Sequence, residues 1–240
     1  MTSHRLPDAV LRPLTEAHVF DSTVERLGAV IRLGVFAHGE QLPPERELAV
    51  KLGVSRVNLR EAIAALREAG MVQTRRGRGG GTTVTYAGSA AQPVDPAELR
   101  RRRPLILDAL NFRRVVEPGA AYLAASSELT ADQRDWLIDS EARVRTAGPG
   151  PQHRIADSRL HLAVATLSGS PMLIEAVIRV QSSLDELLSR IPLLPGTLEQ
   201  SHQAHQAVIA AILAGDPLAA RTEMERQCDA TSVLLRALLE

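Results

Sequence analysis

The period of the sequence changes sharply at Gly70, and that change limits what the first third of the chain can build. Over residues 18–36 apolar side chains recur at helical spacing (Val19, Val24, Leu27, Val30, Ile31, Val35), and Gly39 with Pro43-Pro44 closes the segment. A short helix is expected over residues 45–52, with Pro44 suited to its N-terminus. Gly53-Val54-Ser55 makes a tight turn with Ser55 as N-cap, and a third helix over 56–69 buries Leu59, Ile63 and Leu66 until Gly70 ends it. Residues 71–75 and 82–86 are then short β-prone runs around Arg76-Gly77-Arg78-Gly79-Gly80-Gly81. That is a hairpin with a glycine-rich, basic tip. Three helices followed by such a hairpin is the plan of a winged helix-turn-helix.

Residues 87–96 are small, polar and proline-containing, which marks a boundary. Everything beyond reads helical, near 97–126, 130–146, 152–168, 171–190, 198–214 and 216–239, with breaks at Gly148-Pro149-Gly150-Pro151, Gly169-Ser170-Pro171, Pro192 with Pro195-Gly196, and Gly215-Asp216-Pro217. Short loops between helices imply an antiparallel bundle. The expected fold is mainly α: a loose arm at 1–16, a winged helix-turn-helix at 17–88, a linker at 89–96, and an all-helical domain at 97–240. No run of about 18 apolar residues crosses a membrane, and the first residues lack the apolar core of a secretion signal. Cys228 is the single cysteine, so an internal disulfide is excluded and the cytoplasm is the expected compartment.

Charge is distributed unevenly. The chain is neutral, with 28 basic and 28 acidic residues, yet residues 54–78 hold six arginines against two glutamates. A local basic patch on a neutral chain points to a polyanion-binding module attached to something else. The six aromatic residues leave almost nothing for unpaired bases to stack on, so duplex DNA is favoured over single strands or RNA. Arg56 and Arg60 are four apart and share a face at the start of the third helix, beside Ser55 and Asn58. Arginine reads guanine and asparagine reads adenine in the major groove. Arg46 opens the preceding helix, where backbone amides favour phosphate. The competing reading is a solvated face in which these arginines pair with Glu45, Glu61 and Glu68. The glycine run 77–81 lacks the Gly-Lys-Ser/Thr ending of a nucleotide-binding loop.

The stretch Leu42-Pro43-Pro44-Glu45-Arg46-Glu47-Leu48-Ala49, then Gly53-Val54-Ser55-Arg56, Leu59-Arg60-Glu61-Ala62, Leu66 to Gly70 and the Gly-Gly-Thr-Thr-Val wing resembles the GntR family of bacterial transcription regulators across residues 18–86. The resemblance implies DNA contact by Arg46, Ser55, Arg56, Asn58, Arg60, Arg76 and Gly77. Val57 and Asn58 stand where the family often has Thr or Pro, so an operator sequence does not transfer.

The back half carries a second pattern. Asp157 and His161 lie four apart on one helical face, and His205 lies on a later helix. A carboxylate and imidazoles from facing helices are how bundles build interior metal sites, and this set suits zinc, nickel or manganese. By spacing alone a surface hydrogen-bonded pair is the commoner meaning of Asp-x-x-x-His. Residues 97–230 also resemble the FCD effector domain of the FadR subfamily, an all-helical bundle. Many members bind a divalent metal through one Asp and three His and recognise small organic acids. Asp157, His161 and His205 fall on three of those positions, whereas Gln227 stands at the fourth. An amide oxygen is a poorer ligand than imidazole. Either the site holds metal with Gln227 or water completing it, or the pocket binds its effector through polar groups alone; bound metal is the reading adopted. His153 and His202 are substitute ligands or, more simply, solvated or capping residues, and Cys228 is a soft ligand or redox switch or, more simply, a buried filler. Arg113 offers a fork to an effector carboxylate and, equally, an ion pair to Glu117 at i, i+4.

The expectation is a cytoplasmic homodimeric regulator, in the sense of a repressor, that binds a pseudo-palindromic operator in double-stranded DNA and senses a small carboxylate. It is expected to touch no membrane and to catalyse no reaction. Two alternatives are a metal-dependent enzyme in the helical domain and an architectural DNA binder without a ligand. The second leaves Asp157, His161 and His205 without a task in an apolar bundle.

Overall fold

The computed structural model describes residues 19–75, 77, 80–88, 95–188 and 195–239. The expected arm, most of the expected linker and Arg76 lie outside the described residues. The first module consists of α1 (Val19–Arg32), α2 (Glu45–Leu52), α3 (Arg56–Glu68) and the antiparallel hairpin of β1 (Val72–Arg75) and β2 (Gly81–Val84), in the register Val72 to Val84. Its core joins Leu27, Ile31, Leu48, Leu59, Ile63, Leu66, Val72 and Val84. The periodicity of residues 18–36 overshoots: α1 stops at Arg32, because Gly34 takes a left-handed φ of 71° and the Val35 N–H turns back to the Val30 carbonyl. Residues 40–42 also pair with β2 through Leu42 N–H to Thr82 O and Val84 N–H to Glu40 O. That isolated bridge at Gln41 is too short, and too close to Pro43, for periodicity to show it.

Six helices follow among the described residues: α4 (Pro96–Ser126), α5 (Ala131–Thr146), α6 (Pro151–Leu167), α7 (Pro171–Leu188), α8 (Pro195–Ala214) and α9 (Pro217–Leu238). All six begin on a local cap or a proline in the way their sequences dictate, α7 at Pro171 and α8 at Pro195. Asp95 caps α4, Thr130 and Gln133 form a reciprocal capping box on α5, Gly150 precedes Pro151 on α6, and Asp216 caps α9. Among the described residues no helix is long and apolar enough to cross a membrane. The bundle has two apolar clusters, one around Leu137, Leu160, Val208 and Ile212 and the other around Leu110, Val177, Leu184 and Leu235.

The two modules touch. Leu33, fully buried just past α1, belongs to the second bundle cluster. Gly34 lies so close to Ile155 of α6 that an added Cβ would stand 2.3 Å from its Cγ2. Gln152 Nε2 donates to the Ala87 carbonyl at 3.0 Å, and Arg26 pairs with Glu175 of α7. The first turns of α6 thus support the first module.

Candidate functional site

On the first module α3 is positioned by Ser55, whose hydroxyl accepts the Asn58 N–H at 3.1 Å. That bond satisfies one of the amides exposed at a helix start. Arg46 and Arg56 are exposed, as is Val57, while Leu59 and Ile63 are buried beneath them. Asn58 is half-buried. Arg60 Nε donates to Glu45 Oε2 at 2.7 Å, so one of the pairs of the solvated-face reading does form. The pair is exposed, worth at most about 1 kcal/mol, and exchangeable for a phosphate or a base edge. Gly77 is exposed with φ 101°, a left-handed backbone that only glycine adopts readily. The expected contact at Arg76 cannot be placed, as that residue lies outside the described set.

In the bundle, α4, α6, α7, α8 and α9 converge on buried polar groups. The ligand-type atoms of Asp157, His161 and His205 all lie within 4.8 Å of one another. His205 Nε2 is 3.2 Å from Asp157 Oδ1, and His161 Nε2 is 3.9 Å from Asp157 Oδ2. Donors around a tetrahedral ion with bonds of about 2.1 Å stand roughly 3.4 Å apart, so these separations fit one. Gln227 is buried, its Nε2 lies 3.4 Å from His161 Nε2, and its Oε1 has no hydrogen-bond partner. The amide sits beside the cluster with an unused oxygen, which is the donor a metal would recruit there. The residues present therefore fit a divalent cation, with Gln227 as the weakest ligand.

Glu117 organises this site, a part that spacing did not suggest. Its Oε2 lies 2.9 Å from His161 Nδ1 and accepts Arg113 Nε–H at 3.0 Å; its Oε1 accepts Gln181 Nε2–H at 2.7 Å. Ser158 in turn donates to Gln181. A carboxylate on Nδ1 holds the imidazole with Nε2 turned toward Asp157, the arrangement that orients metal-ligating histidines. Burial pushes the Glu117 carboxyl up, but Arg113 and His161 outweigh it and bring its pKa down to about 2. Burial likewise opposes charge on Asp157, and the contact with His205, with the charges of His161 and Arg113, holds it well below the usual carboxylate range. Both carboxylates are ionised at neutral pH. Burial pushes the Cys228 thiol up, so it is a neutral filler whose Sγ rests 3.7 Å from Glu117.

Arg113 forms the ion pair that its spacing with Glu117 offers. Its Nη2 is 3.3 Å from His161 Nε2 and its side chain lines a cavity of about 340 Å³. Asp157, Gln227, Ser158 and Gln181 line the same cavity. His153 departs from expectation: it is 3% exposed rather than solvated, because α6 enters the bundle at its first turn.

Comparison with known proteins covers both modules. Residues 21–84 match the profile of the bacterial regulatory proteins of the gntR family, and residues 108–230 match the FCD domain. The chain is 37% identical over 177 residues to a Mycobacterium gastri protein named, provisionally, as the HTH-type transcriptional regulator RmpR; the match covers 72% of this chain and 63% of that protein, less than two thirds of its length. It is 35% identical over 213 residues to an Escherichia coli protein named, again provisionally, as an L-lactate dehydrogenase operon regulatory protein, covering 85% of this chain and 81% of the other. It is 27% identical over 213 residues to the HTH-type transcriptional repressor NanR of Cronobacter sakazakii, covering 86% and 81%.

Proposed function

The chain belongs to the gntR family of bacterial regulatory proteins with an FCD domain, a DNA-binding transcriptional regulator and not an enzyme, and from that premise we propose that it is a metabolite-responsive repressor whose helical domain holds a divalent metal as effector anchor. Asp157, His161 and His205 are its ligands and Gln227 its fourth, weak one. The metal supplies a Lewis-acidic anchor for an effector carboxylate, and Arg113 faces the same cavity to receive the charge. Zinc, nickel and manganese all suit a mixed imidazole and oxygen set. Repression is supported by the likeness to a protein named as a repressor. The cytoplasm, where the operator lies, is the compartment this role requires.

DNA is read by a homodimer, with Arg56, Asn58 and Arg60 in the major groove and Arg46, Ser55, Arg76 and Gly77 on phosphates or the minor groove. Each protomer takes half of a pseudo-palindrome. The observation that carries the reading is the place of Asp157 and His161 on α6, the helix whose Ile155 lies against Gly34 of the DNA-binding module. An effector that binds better to one seating of that contact shifts the seating by its differential affinity and no more.

Metal content measured per chain by elemental mass spectrometry, before and after chelator, tests the anchor. One ion per chain fewer in His161→Ala than in the parent, while effector-free operator binding survives, is the expected result. A protein that takes up no ion on titration overturns it. Gln227→His is expected to tighten the ion by at least about tenfold, or 1.4 kcal/mol.

A further inference from the structure

A second pair of imidazoles lies near the cluster and has no part in the reading above. His153 precedes Asp157 by one turn of α6, and His202 precedes His205 by three residues on α8. His153 is 3% exposed, and its buried Nδ1 has no partner. His202 likewise buries an Nε2 with no partner. The ring centroids are 5.5 Å apart and tilted by 52°. The pair His161 and His205, carried by the same two helices, has centroids 5.7 Å apart at 73°. An ion about 2.1 Å from each of two imidazole nitrogens at a tetrahedral angle sets ring centres roughly 5.3 Å apart.

We infer that His153 and His202 form a second divalent-cation site, distinct from the Asp157, His161 and His205 cluster, that takes an imidazole-preferring ion of the zinc or nickel class. Each buried nitrogen without a partner costs free energy that an ion would recover. Two protein nitrogens leave coordination positions for water, and His153 lines the cavity that supplies it. The location gives the site a consequence. Its α6 turn also carries Gln152, bonded to Ala87, and lies beside Ile155 against Gly34. An ion there ties α8 to the part of α6 on which the DNA-binding module rests.

The test is zinc uptake by the metal-stripped full chain, counted per chain by elemental mass spectrometry after equilibrium dialysis against zinc chloride. Two ions are expected in the parent, one in His153→Ala, one in His202→Ala, and one in the double variant His161→Ala with His205→Ala. His38→Ala, which changes an exposed histidine, is expected to leave the count at two. Circular dichroism melts establish that each variant folds, and His202→Gln, which keeps a polar group there, replaces any that does not. A parent ion lost only in His161→Ala with His205→Ala, and kept in both His153→Ala and His202→Ala, overturns the inference and spares the first site. An ion lost in His153→Ala and His202→Ala but kept in the double variant upholds the inference and removes the first site. No uptake at all overturns both.

Discussion

Glu117 shows how a single side chain can decide the character of a buried site. Its two oxygens meet Arg113, His161 and Gln181 at 3.0 Å or less, so it fixes a guanidinium and an imidazole at once. Removing one partner of a buried ion pair leaves the other charge stranded, at a cost of about 3–5 kcal/mol. Glu117→Ala is expected to lose that much in urea unfolding, and Glu117→Gln, which keeps a hydrogen-bonding oxygen, less; equal stability of all three proteins would show that the pair carries no net weight. Arg56 stands at the opposite limit, exposed on α3 above a buried Leu59. Arg56→Ala is expected to weaken specific operator binding by about 1–3 kcal/mol while leaving stability unchanged, read by fluorescence anisotropy at fixed salt. Unchanged affinity there would remove α3 as the reading helix. The i, i+4 spacing of Arg113 with Glu117 and of Asp157 with His161 was legible in the sequence, because helical repeat alone puts such pairs on one face. The hold of Glu117 on His161 was not, since it joins helices 44 positions apart and depends on how α4 packs on α6. For the same reason the burial of His153 escaped a reading by polarity.

The helices and the wing followed from period and punctuation, for the caps at Ser55, Thr130 and Asp216 are local chemistry that a sequence states openly. The end of α1 did not follow, because Val35 continues the apolar period while the backbone has already turned at Gly34. What requires glycine there is partly tertiary: φ is 71° and Ile155 Cγ2 fills the place of a Cβ. Gly34→Ala is therefore expected to cost about 1–2 kcal/mol from the left-handed backbone alone, plus a clash that shifts α1 against α6. Pairing it with Ile155→Ala removes the clash and retains the backbone cost. A double-mutant cycle that shows no coupling between the two positions would mean that the modules do not bear on each other there.

At the scale of the molecule, one helix serves both halves of the proposed mechanism. The inner face of α6 carries Asp157 and His161, and its first turns carry Gln152 and Ile155 against the DNA-binding module. A rigid helix that both sites bias is the physical requirement for coupling, stronger than mere nearness of the sites. Linkage then makes a demand that no choice of pathway can evade. If a bound carboxylate lowers operator affinity by some factor, operator DNA must lower the affinity for that carboxylate by the same factor. Factors for such couplings run from about 5 to 150, or 1–3 kcal/mol. Calorimetric titration of a releasing carboxylate into the metal-loaded protein, with and without saturating operator, is expected to give two dissociation constants whose ratio matches the loss of operator affinity measured separately. Gly34→Ala should bring both ratios toward one together, because it disturbs the contact through which each is transmitted. Equal carboxylate affinity with and without operator, for a ligand that still releases the DNA, would mean that the ligand competes at the DNA surface, and α6 would lose its role as the coupling element.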